Sequence, residues 1–468
     1  SDTYIEVFAN RGVWIEDAAI QQLQTTARNL AGMRAAVGLP DLHPGRGYPV
    51  GAAFFSVGRF YPALVGGDIG CGMSLYSTEL AAHKTSAPKL EKAVGNIDGP
   101  LPQELLDAVD MQQLEHIAQA SGVADLAYLQ DSLGTIGGGN HFAELQVVDT
   151  LYEDEALDRK RVHLMVHSGS RGLGGAILRT HVEAFSHDGL AASSDAATQY
   201  LRQHAAAIAF AQLNRASIAA RLLRALRTRG QALLDITHNH VIAHHWRGED
   251  GFLHRKGATP ADQGLVVIPG SRGDYSYLVR PVAGRDEALH SLAHGAGRKW
   301  ARTDCMGRLR PRFTLDELLR TQFGSAVVCA DRELVYEEAP PGLQGRGLRG
   351  RQPAGSRPGA TGGAAAPPAD LQEGSHAMLL IQLTASHGPA ECEHAVRLTL
   401  RELLRDCAAR GIAVDVLEET PTAAGYKSVL LRCEGDTGLL HGTLGAWLGT
   451  IQWVFDSPLR PQIGRAHV

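Results

Sequence analysis

Polar and apolar residues alternate over Tyr4-Ile5-Glu6-Val7-Phe8, the period of a short strand. Apolar positions then recur every three or four residues across 14–36, which predicts a helix, and Asp41-Leu42-His43-Pro44-Gly45 ends it in a turn. Residues 50–57 read as a strand leading into a glycine-rich stretch, and 85–130 as ordinary amphipathic helices. The apolar runs 162–166 and 233–236 predict buried strands on either side of a long helical region at about 190–230. A further strand at 266–268 empties into a loop. From Met378 the pattern starts afresh: a strand at 378–383, a helix from 388 to about 410, strands at 414–418 and 428–433, and a helix at 439–448.

The 468 residues leave room for two or three domains, or for one large core with an appendage. With 44% hydrophobic and 20% charged residues and a formal charge of -5, the chain is expected to be globular and soluble. Any nucleic-acid contact must come from a local patch, because there is no global basicity. Six cysteines (Cys71, Cys305, Cys329, Cys392, Cys407, Cys433) lie scattered without a CxxC pair, which argues for a reducing compartment and against a disulfide scaffold or zinc ribbon. No leader-like or long uncharged apolar run occurs, so the expectation is a cytoplasmic protein without a membrane partner.

The chemistry concentrates where apolar runs end. In Gly66-Gly67-Asp68-Ile69-Gly70-Cys71-Gly72-Met73 a carboxylate and a thiol sit three apart among glycines that bare the backbone, a spacing that lets both reach one cation. A small buried cysteine in a tight turn is the plain alternative. Gly137-Gly138-Gly139-Asn140-His141-Phe142-Ala143-Glu144 places His141 after three glycines, where something must approach the backbone closely. The strand at 162–166 delivers His167-Ser168-Gly169-Ser170-Arg171, a loop able to cradle an anion, and the run at 233–236 ends at Thr237-His238-Asn239. Asp68, Cys71, His141, His167 and His238 are enough for two adjacent divalent ions bridged by a thiolate. His43 is either a supporting partner of that site or a plain turn histidine.

His254-Arg255-Lys256-Gly257-Ala258 reads as a compact basic turn, suited to phosphate or simply solvated, and Pro269-Gly270-Ser271-Arg272 as a second cradle. His294-Gly295-Ala296-Gly297-Arg298 gives an imidazole clear space for a phosphoryl group, beside an arginine that can offset developing charge. No GxxxxGK[ST] loop is present, which excludes P-loop chemistry.

Seven segments in order, DIGCGM, GGGNHFAE, HSGSRGLG, THN, HRKGATPAD, PGSRGDYSY and HGAGR, resemble the RtcB family of RNA-splicing ligases, over roughly residues 4–339. The resemblance implies an α+β protein: an RtcB-type mixed α/β ligase core with a buried two-metal site, plus a small C-terminal α/β domain. It implies Asp68, Cys71, His141, His167 and His238 as ligands of two Mn(2+) ions, with Cys71 bridging. His294 becomes the nucleophile that takes GMP from GTP. Asn140, His141, Phe142, Ala143, Glu144, His238, Asn239, Pro269, Gly270, Ser271, Arg272, Ser276, His294, Gly295, Ala296 and Gly297 become GTP contacts. The implied reaction joins RNA ends carrying 2′,3′-cyclic phosphate or 3′-phosphate to 5′-hydroxyl ends, with Arg171, Arg255 and Lys256 facing RNA, or else as surface cations. The variants Arg272, Asp274 and Arg298-Lys299-Trp300 resemble the branch found beside release factor H, which points to RNA repair.

The ligase-like pattern stops after Pro340. Residues 341–377, rich in Gly, Pro, Ala and Arg, are expected to form a disordered linker without the family's terminal Lys-Gly. Segments at 343–353 and 371–374 can be respelled in a neighbouring frame as family-like sequence, so a frameshifted ligase C-terminus is a hypothesis that sequencing the gene decides. Residues 378–462 resemble the N-terminal part of peptide chain release factor H, in LLIQLTASHGPAEC and WVFDSPLRP, without the part that carries a Gly-Gly-Gln loop; 463–468 match neither family. These features leave two further readings: a catalytically impaired ligase-like protein binding RNA, tRNA or the ribosome through its release-factor segment, and a metal-dependent phosphoesterase. An archease-like activator is a further expected partner.

Overall fold

The computed structural model describes residues 3–9, 13–95, 97, 99–152, 157–282, 284, 286–300, 302–321, 325–329, 331–343, 376–385, 390–436, 443–444, 447, 452–456 and 463–467. The chain divides into two compact units, Ser1–Ser356 and Arg357–Val468.

The first unit is a mixed α/β structure built on two sheets. One has five strands in the order Tyr4–Val7, Met33–His43, Val50–Ser56, Glu249–Lys256, Asn239–Trp246, with the outermost Tyr4–Val7 strand parallel to its neighbour. The other has four antiparallel strands in the order Phe142–Val147, Arg161–Ser168, Gly72–Ala81, Gly230–Thr237.

The Arg161–Ser168 strand is buried along nearly its whole length, and its alternation sorts its two faces. Leu164 and Val166 pack under Ile218, Ala219 and Leu222 of the long helix Asp195–Ala225, while Met165 joins Met73, Leu75 and Val267 on the opposite side. His167 falls on the Met165 face and Ser168 on the helix face. The long helix is alanine-rich and begins at Ser194, whose hydroxyl accepts the Ala197 N–H, so propensity and capping agree there. Among the described residues no helix is long and apolar enough to cross a membrane.

Two readings of the pattern need correction. The helical period at 14–36 covers only the helix Asp17–Asn29, because Gly32 adopts φ +75° and turns the chain; Met33–His43 is then a strand, paired on both sides. Apolar residues at 33–42 suit a strand buried on both faces as well as a helix stripe, and pairing partners decided between them. The predicted turn at Asp41–Gly45 is accordingly the end of that strand. The "basic turn" at His254–Ala258 is the end of the Glu249–Lys256 strand and its continuation, with His254 and Arg255 fully buried.

In the second unit the strands His376–Thr384, Tyr426–Asp436 and Ala413–Pro421 form an antiparallel sheet in that order. The helix Ala390–Ala409 covers one face, packing Val396, Leu400, Leu403 and Cys407 on Ile381, Leu383, Val429 and Leu431. Gln452–Asp456 pairs antiparallel with Ile463–His467. The expected linker at 341–377 lies outside the described residues except for 341–343 and 376–377, as does most of the helix expected at 439–448.

Candidate active site

Register brings the site together. Gly72 is paired with Ser168 on one side and Thr237 on the other, Met73 with His167, and Phe142 with His167. Cys71 precedes Gly72, His141 precedes Phe142, and His238 follows Thr237, so four side chains expected as ligands leave the same edge of the four-stranded sheet. His238 is also where the chain crosses into the five-stranded sheet, its N–H bonded to the Cys71 carbonyl at 2.8 Å.

Cys71 Sγ lies 3.3 Å from His141 Nε2 and 3.2 Å from His167 Nε2, and these three ligand atoms converge as a group able to hold a metal ion. His167 Nε2 is 3.2 Å from His238 Nε2, and His141 Nε2 is 3.0 Å from Asp68 Oδ2. His167 Nδ1 donates to the Asn140 carbonyl at 2.8 Å, which fixes the proton there and aims the Nε2 lone pair into the cluster. Burial, with the Asp68 charge adding to it, holds the Cys71 thiol well above its ordinary range. Burial, aided by the neighbouring histidines, pushes His167 and His238 well below theirs. For Asp68, burial acts upward, but the hydrogen bond and charge of His141 prevail and hold the carboxyl down. Its side chain is 38% exposed, so the cluster opens to solvent on that side.

Imidazole nitrogens, a carboxylate and a thiol that yields its proton to a cation fit a divalent transition metal. Ligand atoms on one ion at about 2.0–2.3 Å stand roughly 3–3.6 Å apart, the spacing seen here.

His294 follows the strand Ser291–Ala293, which pairs with Ala258–Pro260, and its ring centre is 4.9 Å from that of His238. Its Nδ1 lies 2.6 Å from Asp41 Oδ2, a close contact off the line of a directed hydrogen bond; the same oxygen accepts the backbone N–H groups of His294 and Gly295. Gly257 is required beside it: at φ +62° a Cβ would stand 2.8 Å from His294 Cε1. His43 Nδ1 bonds the Asp41 carbonyl at 2.8 Å, and burial pushes this ring down to about 4.

The residues expected around a nucleotide divide between the site edge and a neighbouring loop. The Phe142 ring stands edge-on to His167, with Ala143 half-buried after it. Burial raises Glu144, and Gln146 Nε2 joins Glu144 Oε2 (2.6 Å) to Ser276 Oγ (3.3 Å). Ser276 Oγ also accepts the Gly270 N–H, Ser271 is buried, and Pro269 packs 3.4 Å from where a Gly295 Cβ would be. Asn239 donates to the Asp68 carbonyl and accepts the Gly257 N–H. Ala296 is half-buried and Gly297 buried in the turn after His294.

Several cations have other work. Arg272 donates to the carbonyls of Leu334, Val335 and Glu338, closing the helix Arg332–Glu337. Arg298 Nη1 donates to both carboxylate oxygens of Glu338 at 2.9 and 3.0 Å, so it is not the free charge its place after Gly-Ala-Gly suggests. Arg255 is fully buried against Ser291, His240 and the His290 carbonyl, which rules it out as a surface contact for RNA. Arg171 donates to Thr135 Oγ1 and lies where a Gly137 Cβ would go, so at that glycine the close approach is by its guanidinium. Lys256 donates to the Tyr48 carbonyl, and burial pushes its ammonium down to about 8.

Sequence reasoning missed Asp41 as the partner of His294, and it missed Asn214 and Arg215. Two adjacent polar residues on the buried face of an alanine-rich helix were the available signal.

Two sheets meet at a Cys/His cluster that could hold a metal ion, with a histidine in contact with a carboxylate beside it. Residues 22–128 and 118–342 match the family described as tRNA-splicing ligase RtcB. An RNA-splicing ligase RtcB2 of Escherichia coli is 52% identical over 337 residues, covering 71% of this chain and 86% of that protein. RNA-splicing ligase RtcB of Escherichia coli K12 is 30% identical over 378 residues, covering 70% and 88%. The Mycobacterium tuberculosis RNA-splicing ligase RtcB is 29% identical over 394 residues, covering 66% and 90%. The chain belongs to the RtcB family.

Proposed function

We propose that the first unit is a GTP- and Mn(2+)-dependent RNA ligase, joining 2′,3′-cyclic phosphate or 3′-phosphate ends to 5′-hydroxyl ends in RNA repair. The observation that carries this reading is His294, its Nδ1 in close contact with Asp41 and its ring adjacent to His238 of the Cys/His cluster. Its Nε2 has no hydrogen-bond partner among the described residues and is the nitrogen left to react.

In this reading His294 Nε2 attacks the α-phosphorus of GTP: an N–P bond forms, the P–O bond to pyrophosphate breaks, and pyrophosphate leaves. Asp41 balances the positive charge that grows on the ring. A 2′,3′-cyclic phosphate end is first opened by water, which adds to phosphorus as the P–O2′ bond breaks and the 2′-oxygen takes a proton, leaving a 3′-phosphate. An oxygen of that 3′-phosphate then attacks the guanylyl phosphorus, and the N–P electron pair returns to Nε2. The 5′-hydroxyl finally attacks the activated 3′-phosphate, forming the new phosphodiester and releasing GMP. Two Mn(2+) ions on Asp68, Cys71, His141, His167 and His238, with Cys71 shared, would neutralise phosphate charge when bound. Residues 140–144, 238–239, 269–272, 276 and 294–297 surround the nucleotide, and Arg171 and Lys256, each with one donor already engaged, keep further donors for phosphate or RNA. The resemblance of the second unit to release factor H supports the alternative reading, a catalytically impaired ligase-like protein that binds ribosomal or tRNA partners through it.

The test is incubation with α-labelled GTP and Mn(2+), followed by denaturing electrophoresis, for this chain and for His294→Ala. Label held by the parent and lost in the variant is expected. Label in neither, or equal label in both, overturns the reading.

A further inference from the structure

Asn214 and Arg215 sit near the middle of the long helix and are fully buried, in a stretch otherwise dominated by alanine and aliphatic side chains. Burying a guanidinium is costly unless its donors are matched, and here they are. Arg215 Nε and Nη2 form a fork on Asp235 at 2.8 and 2.6 Å, while Nη1 donates to the carbonyls of Gly70 (2.8 Å) and Ser168 (2.9 Å). Asn214 Oδ1 accepts the Gly134 N–H at 2.8 Å. Its Nδ2 donates to the Thr135 carbonyl, Ser168 Oγ and the Gly169 carbonyl at 3.1, 3.1 and 3.3 Å.

The bonded groups are not random backbone. Gly70 precedes Cys71, Ser168 follows His167, and Gly134-Thr135 open the loop that ends at His141. These segments are glycine-rich and have little stiffness of their own. Sheet register already holds His167, one residue inside the last paired rung at Ser168, but Cys71 and His141 lie beyond their last paired residues and need another constraint. We propose that Asn214 and Arg215 are positioning residues that preset the mutual spacing of Cys71, His141 and His167 for metal binding, without touching the metal. The inference rests on the reading that these three residues hold a metal. Ordinary packing of the helix is left to its neighbours, such as Leu222 against the sheet.

The experiment titrates Co(2+) into the full chain and follows the thiolate-to-cobalt absorption band, alongside the thermal midpoint of each metal-free protein. The proteins are the parent, Arg215→Lys, Asp235→Asn, Cys71→Ala and Leu222→Ala. Asp235 is partly exposed, so Asp235→Asn keeps the question answerable should Arg215→Lys fail to fold. Arg215→Lys is expected to weaken Co(2+) binding about 10–100-fold, and Asp235→Asn less, in keeping with the effect of residues that orient metal ligands. Leu222→Ala should lower the midpoint and leave affinity at the parent value. Parent-like affinity in the folded Arg215 and Asp235 variants overturns the inference, as does a loss in Leu222→Ala that tracks the fall in midpoint. A parent lacking a band that Cys71→Ala removes defeats the metal reading itself, and this inference with it.

Discussion

Asp41 Oδ2 stands 2.6 Å from His294 Nδ1 and accepts the N–H groups of both His294 and Gly295, so one buried carboxylate sets the ring and the backbone of the turn that carries it. The two residues are 253 positions apart in the chain. Asp41→Asn keeps the shape and removes the charge that balances an imidazolium. It is expected to slow formation of the covalent guanylate by on the order of 10²–10⁴-fold with the fold retained, as loss of a histidine-orienting carboxylate does elsewhere. Rapid-quench labelling with GTP measures it; parent-like rates would remove Asp41 from the chemistry.

Metal addition should stabilise the folded chain by mass action, about 2.7 kcal/mol at a free metal concentration one hundred times the dissociation constant. The thermal midpoint of the parent is therefore expected to rise with Mn(2+) and fall back with chelator. Cys71→Ala should cut that response strongly. An equal response in parent and variant would place the bound ion elsewhere.

At Gly169 a Cβ would come 2.1 Å from Asp68 Oδ1 and 3.3 Å from Cys71 Cα. Gly169→Ala is thus expected to displace the Asp68 carboxylate and weaken Mn(2+) binding by roughly 10-fold or more. Electron paramagnetic resonance of free Mn(2+) reads the affinity directly. Unchanged binding would show that Asp68 is no ligand.

Acid should loosen the fold through two histidines away from the Cys/His cluster. His254 Nε2 accepts the Tyr61 N–H at 2.9 Å and His204 Nε2 the Val241 N–H at 3.1 Å, so both rings must be neutral. Burial pushes each down to about 4. The unfolded chain takes up these protons near 6.5, so the stability they contribute is complete above about 6.5 and is lost as pH falls toward about 4. By pH 5 the loss is on the order of 2 kcal/mol for each. Urea midpoints at pH 7 and pH 5 test this, with His204→Gln and His254→Gln expected to flatten the dependence. A parent midpoint indifferent to that change would refute it.

The features legible in the chain alone are local. Histidines at the ends of apolar runs, a carboxylate and a thiol three apart, and small residues around His294 are adjacent in the chain, and their chemistry is legible before any folding. Strand and helix periods likewise placed most of the elements, because alternation and the 3.6-residue stripe depend on near neighbours. Pairings across the chain came from the fold. Residues 33–43 became a strand because partners flank them on both sides, and Arg255 went inside because Ser291 and His290 meet it there. Asp41 found His294, and Arg215 found the carbonyls beside Cys71 and His167, through sheet register and a helix crossing beneath it. A side chain's distant partner is set by the three-dimensional path of the backbone, and no local pattern records that path.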